Sequence, residues 1–248
     1  MVGPLDERNS GWMTTDFAAW IFLVTTMKGY RCDRTIWLPI RPIHDLFPGG
    51  FVTFGEAGCD RLQLPLPTLE RSVDPEITAH SFAFQCLFSL HNMAQKVKRG
   101  QKLLLLLIGH GSYDGVFRFL ITTDSTQVTN EAYLAKDELE DALEGCQGDV
   151  LVISNACHSS NLVSERWTLL CAAGPNQESN ALTESSSGHF RGSIFTACVV
   201  AQAAHKYGLQ VPLPRAVKRS SGDHWVPLPP TPPISLRLHP CCCPAFYH

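Results

Sequence analysis

The sequence predicts an α/β protein with a mostly parallel sheet and helices on both of its faces. Two observations carry this. The apolar runs Leu103–Ile108 and Val150–Ile153 are short and bounded by turn-formers, the pattern of strands buried on both faces. Stretches with apolar residues at helical spacing alternate with such runs along the chain. A length of 248 residues suits one domain with appendages, and a hydrophobic fraction of 44% is ordinary for a globular chain.

Each element has its own reason. Asp16 is expected to cap a helix through Phe17, Trp20, Ile21, Leu23 and Val24 that ends before Gly29. Arg34–Ile40 is apolar-rich and reads as a strand. Residues 41–75 hold many Pro and Gly and read as a long irregular excursion. From Pro75 to Lys98, Phe82, Cys86, Leu87, Leu90 and Met93 fall on one helical face, and the basic stretch Lys96–Arg99 suits a helix C-terminus. The strand 102–108 follows, then a loop, then a helix over Lys136–Glu144 with Leu139 and Leu143 on one face. Strands at 149–154 and Trp167–Ala173 come next, and a last helix, Gly192–His205, buries Ile194, Phe195, Cys198 and Val199. Residues 209–248 hold nine of the 17 prolines and no amphipathic period, so they read as a disordered tail.

Composition excludes several classes of function. A net charge of −3 offers no electrostatic basis for nucleic acid or an anionic membrane as a partner. Met1–Thr15 is polar and reads as no secretory signal, and the longest apolar stretch, Phe17–Met27, is too short to span a bilayer. No pair of the ten cysteines has Cys-x-x-Cys spacing, so no zinc site and no disulfide framework is expected. Scattered single cysteines in apolar patterns point to a reducing, cytoplasmic setting.

The chemistry-bearing residues stand at the ends of the two apolar runs. The first run stops at Gly109-His110-Gly111 and the second at Asn155-Ala156-Cys157-His158. Taken singly, a turn histidine and a buried structural thiol are the commoner readings. Together, in the order His then Cys and 47 residues apart, they match the caspase-type arrangement. Gly109, Gly111 and Ala156 leave room beside both side chains. Cys146 and Cys171 read as core or strand-edge thiols, and the side chain of His158 is expected to point away from the thiol beside it.

At these residues the chain resembles the caspase–legumain group of cysteine peptidases. "LLLLLIGHGS" resembles the family's histidine strand and "VLVISNACHSS" its cysteine strand. "WTLLCAAGPNQES" resembles the next strand and the loop at the specificity pocket, and "FRGSIFTA" the start of the following helix. The resemblance covers roughly 16–206 and is closest to legumain-like and caspase-domain proteins. It implies a caspase-like three-layer sandwich over residues 1–208, with the tail beyond. The family's first strand is expected to be missing, because Met1–Thr15 has no apolar run to supply it.

The resemblance implies a cysteine-type endopeptidase acting on polypeptides without a cofactor. Cys157 attacks the peptide carbonyl, His110 protonates the leaving amine and then activates water, and the N–H groups of Gly111 and Cys157 hold the oxyanion. The alternative is an inactive or truncated caspase-like module with an interaction or signalling role. An α/β-hydrolase is a poor third reading, since the residues around Cys157 lack the glycines of a nucleophile elbow.

Two departures bear on specificity. Asn155 stands where legumain-like enzymes carry a glutamate, and Ser193 where they carry an acidic residue. The pocket for the residue before the cleaved bond is expected to be bounded by Asn155, Ala172, Ala173, Gly174 and Ser193, all neutral, and to prefer a small or neutral polar residue. A capping role for Ser193 at the last helix is an equal alternative.

Overall fold

A computed structural model describes residues 11–26, 35–39, 50–54, 62–65, 77–122, 129–182, 192–207 and 245–247. The described course opens with helix α1, Gly11–Thr26, and a strand pair, β1 (Phe51–Phe54) and β2 (Leu62–Pro65). Helix α2 (Ala79–Ala94) leads into strand β3 (Lys102–Leu107). A ribbon of β4 (His110–Gly111), β5 (Phe117–Thr122) and β6 (Thr129–Leu134) then leads to helix α3, Lys136–Ala142. Strands β7 (Asp149–Ser154) and β8 (Thr168–Cys171), helix α4 (Ile194–Tyr207) and strand β9 (Ala245–Tyr247) complete the order.

The main sheet runs β3-β7-β8-β9. The first three strands are parallel, and β9 pairs antiparallel with β8. Successive strand side chains point to opposite faces, and the two core clusters divide along that alternation. Leu103, Leu107, Val150, Val152, Leu169 and Cys171 pack with α2 and α3 on one face. Leu106, Ile153 and Leu170 pack with α1 and α4 on the other. The result is a three-layer α/β/α arrangement, as the apolar runs predict. No described helix is long and apolar enough to cross a membrane.

Helix starts follow local chemistry. Thr78 caps α2, its Oγ1 accepting the Ser81 N–H at 3.2 Å. The Glu138 carboxylate reaches back to accept the Ala135 N–H at 2.8 Å, and Asp137 and Glu138 put negative charge in the first turn of α3.

Several expectations are corrected. Helix α1 begins at Gly11, so Asp16 lies inside it rather than at its cap. Trp12 and Met13 pack into the same core as Phe17, so tertiary burial extends the helix toward the N-terminus. The excursion at 41–75 holds the antiparallel pair β1–β2, whose Val52 and Leu64 are buried in the core that contains α1. The rest of that excursion lies outside the described residues. The loop expected after His110 is the three-stranded ribbon β4–β6, with Phe117 and Leu134 paired across it and both buried. Finally, Ala245–Tyr247, inside the segment read as a tail without regular structure, forms the edge strand β9. Residues 208–244 and 248 lie outside the described residues. Thr35–Leu38, within the expected second strand, pairs in no ladder, but it packs: Leu38 is buried with α2, and Trp37 meets Phe17 edge-on at 5.8 Å.

Candidate active site

The site sits at the carboxyl ends of β3 and β7, where function gathers in open α/β sheets. The two strands pair in register from Lys102↔Asp149 to Leu107↔Ser154. His110 and Cys157 therefore each lie three residues past one matched pair. One more rung, Asn155 N–H to the Leu107 carbonyl at 3.2 Å, holds the strands together before they part.

Glycine then lets the two exits touch. A Cβ on Gly111 would stand 2.0 Å from the Cys157 carbonyl oxygen and 3.1 Å from the Ala156 Cβ, so only glycine fits there. A Cβ on Gly109 would lie 2.6 Å from the Phe117 ring. The small residues noted in the sequence thus bring one loop against the other.

Each expected catalytic side chain has a defined setting. His110 pairs with Arg118 across the ribbon. Its Nε2 is buried with no hydrogen-bond partner among the described residues. Burial, with a smaller effect from the Arg118 charge, holds the imidazole below its ordinary pKa, which favours the neutral base. The Cys157 sulfur is half-buried and receives the Ser179 N–H at 3.3 Å. Its hydrogen-bond partner is thus the loop after β8, not His110. Ser179 also carries a buried hydroxyl with no partner.

The expected oxyanion donors are both available. Ser112 N–H bonds the Val116 carbonyl at 3.1 Å, so Ser112 and Val116 form a hydrogen-bonded pair. Alternation makes Gly111–Phe117 the non-bonded pair and turns the Gly111 N–H away from β5. Among the described residues no carbonyl takes the Cys157 N–H.

His158 points elsewhere, as expected. It adopts a left-handed backbone with φ of 53°, and its ring stacks on Tyr113 at 3.8 Å with Nδ1 3.2 Å from the Pro175 carbonyl. Cys171 is buried, and burial pushes its thiol up to about 11; Cys86 is pushed up to about 12 for the same reason. Both are poor nucleophiles.

The residues expected to bound the specificity pocket divide into two groups. Asn155 and Ser193 are fully buried and meet at a residue that sequence reasoning placed only as a cap, Asp16. One Asp16 oxygen accepts the Ser193 N–H at 2.8 Å, and the other accepts the Asn155 Nδ2–H at 2.7 Å and the Ser193 hydroxyl. Asn155 Oδ1 in turn accepts the Gly109 N–H at 3.1 Å. Ser193 also caps α4, accepting the Thr196 N–H at 3.2 Å. Ala173 instead closes on the turn after Cys157: its N–H meets Ser159 Oγ at 3.2 Å, and its carbonyl takes the Ser160 N–H at 3.0 Å, while the Ala172 N–H bonds the Ser154 carbonyl at 2.9 Å and the Gly174 N–H bonds Gln177 Oε1 at 3.0 Å.

Among the described residues Asp16 has no charged partner. Burial raises its pKa from 3.8 to about 6, opposed by hydrogen bonds from Ser193, Asn155 and Thr196. No local signal marks this role, because Asn155 and Ser193 lie 139 and 177 residues away in sequence.

No family model matches the chain, and no curated protein matches it in sequence.

Proposed function

We propose that the protein is a cysteine-type endopeptidase of the caspase–legumain kind, with Cys157 as nucleophile and His110 as acid and base. One observation carries the reading. Two adjacent parallel strands deliver a cysteine and a histidine at equal offsets past a matched pair, and the two exits are in backbone contact at Gly111 and Cys157. The unpartnered buried Nε2 of His110 supports it, since such a group awaits a proton to exchange.

In this reaction the Cys157 thiol gives its proton to His110, and the thiolate adds to the peptide carbonyl. The resulting oxyanion is held by the N–H groups of Gly111 and Cys157. His110 protonates the departing amine, leaving an acyl-enzyme. It then takes a proton from water, the hydroxide displaces the Cys157 thiolate to release the acid, and the thiolate takes the proton back from His110. The residue before the cleaved bond lies against Ala172–Gly174. Asn155 and Ser193, fully buried, shape that place from behind rather than touch the substrate. The substrate is a polypeptide, and the chemistry uses no cofactor.

The test is labelling with a thiol-reactive peptide electrophile, alongside cleavage of a peptide library. Wild type is expected to be labelled at Cys157 and to cleave peptides. Labelling that persists equally in Cys157→Ala shows the reactive thiol to be elsewhere. A wild type that neither labels nor cleaves leaves the alternative of a caspase-like interaction module.

A further inference from the structure

Among the described residues, Asp16 is the only buried carboxylate. It joins three elements: α1, the tip of β7 and the start of α4. Its burial is costly, and the hydrogen bonds from Ser193, Asn155 and Thr196 offset part of that cost.

The direction of the hydrogen bonds shows what it does. An ionised carboxylate only accepts, so the Asn155 amide must turn its NH2 toward Asp16. That leaves Oδ1 as the end facing Gly109, whose N–H needs an acceptor. A flipped Asn155 would set NH2 against N–H and release the backbone just before His110. We propose that Asp16 is a positioning residue: through Asn155 it holds the Gly109–His110 exit against the Cys157 exit. The inference rests on the His110–Cys157 pair named above. Among the described residues the groups facing Asp16 are the Asn155 amide, the Ser193 hydroxyl and N–H, and the Thr196 hydroxyl, with no charged side chain among them.

The experiment exploits the polarity of the chain. Asp16→Asn leaves the Asn155 amide free to turn. The exchange Asp16→Asn with Asn155→Asp restores a single direction: the new amide at 16 accepts from the Ser193 N–H and donates to the carboxylate at 155, which accepts from Gly109. In the full-length protein, the rate of Cys157 alkylation by iodoacetamide is followed by mass spectrometry, and peptide cleavage is measured in parallel. Folding is checked by circular dichroism.

The single variant is expected to slow Cys157 alkylation by about tenfold or more, because small misplacements of a reacting pair are expensive. The exchange is expected to restore most of the rate, and kcat is expected to respond more than KM. A folded single variant with an unchanged rate overturns the proposal, as does a folded exchange variant without recovery. If neither variant folds, Asp16 is a folding determinant and the positioning role is overturned. If cleavage is normal but insensitive to position 16, the proposal fails while the peptidase stands. If alkylation depends on position 16 and on His110 but no peptide is cut, the pair is positioned as argued and the peptidase reading fails.

Discussion

The two faces of the sheet are built by different rules. The face under α2 and α3 has an apolar body, from Phe82 and Leu90 to Val150 and Leu169. The face under α1 and α4 has an equally apolar body, with Phe17, Trp20 and Phe195. At the carboxyl end of the strands, however, it takes in Thr15, Asp16, Asn155, Ser193 and Thr196, all fully buried. Each polar atom set there needs a partner, and Trp20 is drawn in, its Nε1–H bonding Thr196 Oγ1 at 3.1 Å. Apolar packing fixes layers within a range of tolerated volumes. A chain of directed hydrogen bonds fixes one arrangement of named atoms. The second kind of construction lies next to His110 and Cys157, where geometry matters most.

This contrast can be broken in several places. The largest effect is expected where chemistry is concentrated. Cys157→Ala should abolish labelling by a peptide electrophile, whereas Cys171→Ala, a thiol of the apolar face, should leave it intact. Mass spectrometry of the labelled peptides decides between them.

The apolar face should answer in stability instead. Phe82 is fully buried, and Phe82→Ala should cost about 3–5 kcal/mol in urea unfolding. The alkylation rate of Cys157 in the folded fraction should barely change. A selective loss of reactivity would show that the two faces are coupled more tightly than their packing suggests.

The polar end should announce itself through pH. The folded Asp16 has its pKa raised from 3.8 to about 6. A raised folded pKa means that its contribution to stability is fully present below 3.8 and is lost as pH rises through about 6. His110, held below its ordinary value of 6.5, acts in the opposite sense: its contribution is present above 6.5 and is lost as pH falls through the depressed value. The comparison is therefore read as a difference. Between pH values near 4 and 7, the melting temperature of wild type should fall relative to that of Asp16→Asn. Parallel curves would mean that Asp16 does not titrate in this window.

The smallest effect is expected at a helix start remote from both. Thr78→Ala should cost about 1 kcal/mol through the lost cap of α2 and leave Cys157 reactivity unchanged.

The elements legible in the sequence are those whose cause is local. Leu103–Leu107 and Val150–Ile153 announce buried strands by composition, and His110 and Cys157 stand directly after them. The period through Phe82, Cys86 and Leu90 announces α2. The ribbon is less legible, since Phe117–Thr122 and Thr129–Leu134 lack a long apolar run and carry only an alternation around Arg118 and Tyr133. β1 and β2 were masked by the surrounding Pro and Gly.

What the sequence by itself determined is thus the layer order, the parallel pairing and the place of His110 and Cys157 at adjacent strand ends, because apolar periodicity and strand-end residues act over a few positions. Tertiary structure alone decided the strand formed by Ala245–Tyr247, whose partner β8 is remote in the chain, and the meaning of Asp16. An aspartate near a helix start looks like a cap whatever surrounds it. Only folding brings Asn155 and Ser193 within hydrogen-bond reach, and burial then makes those bonds outweigh any local preference.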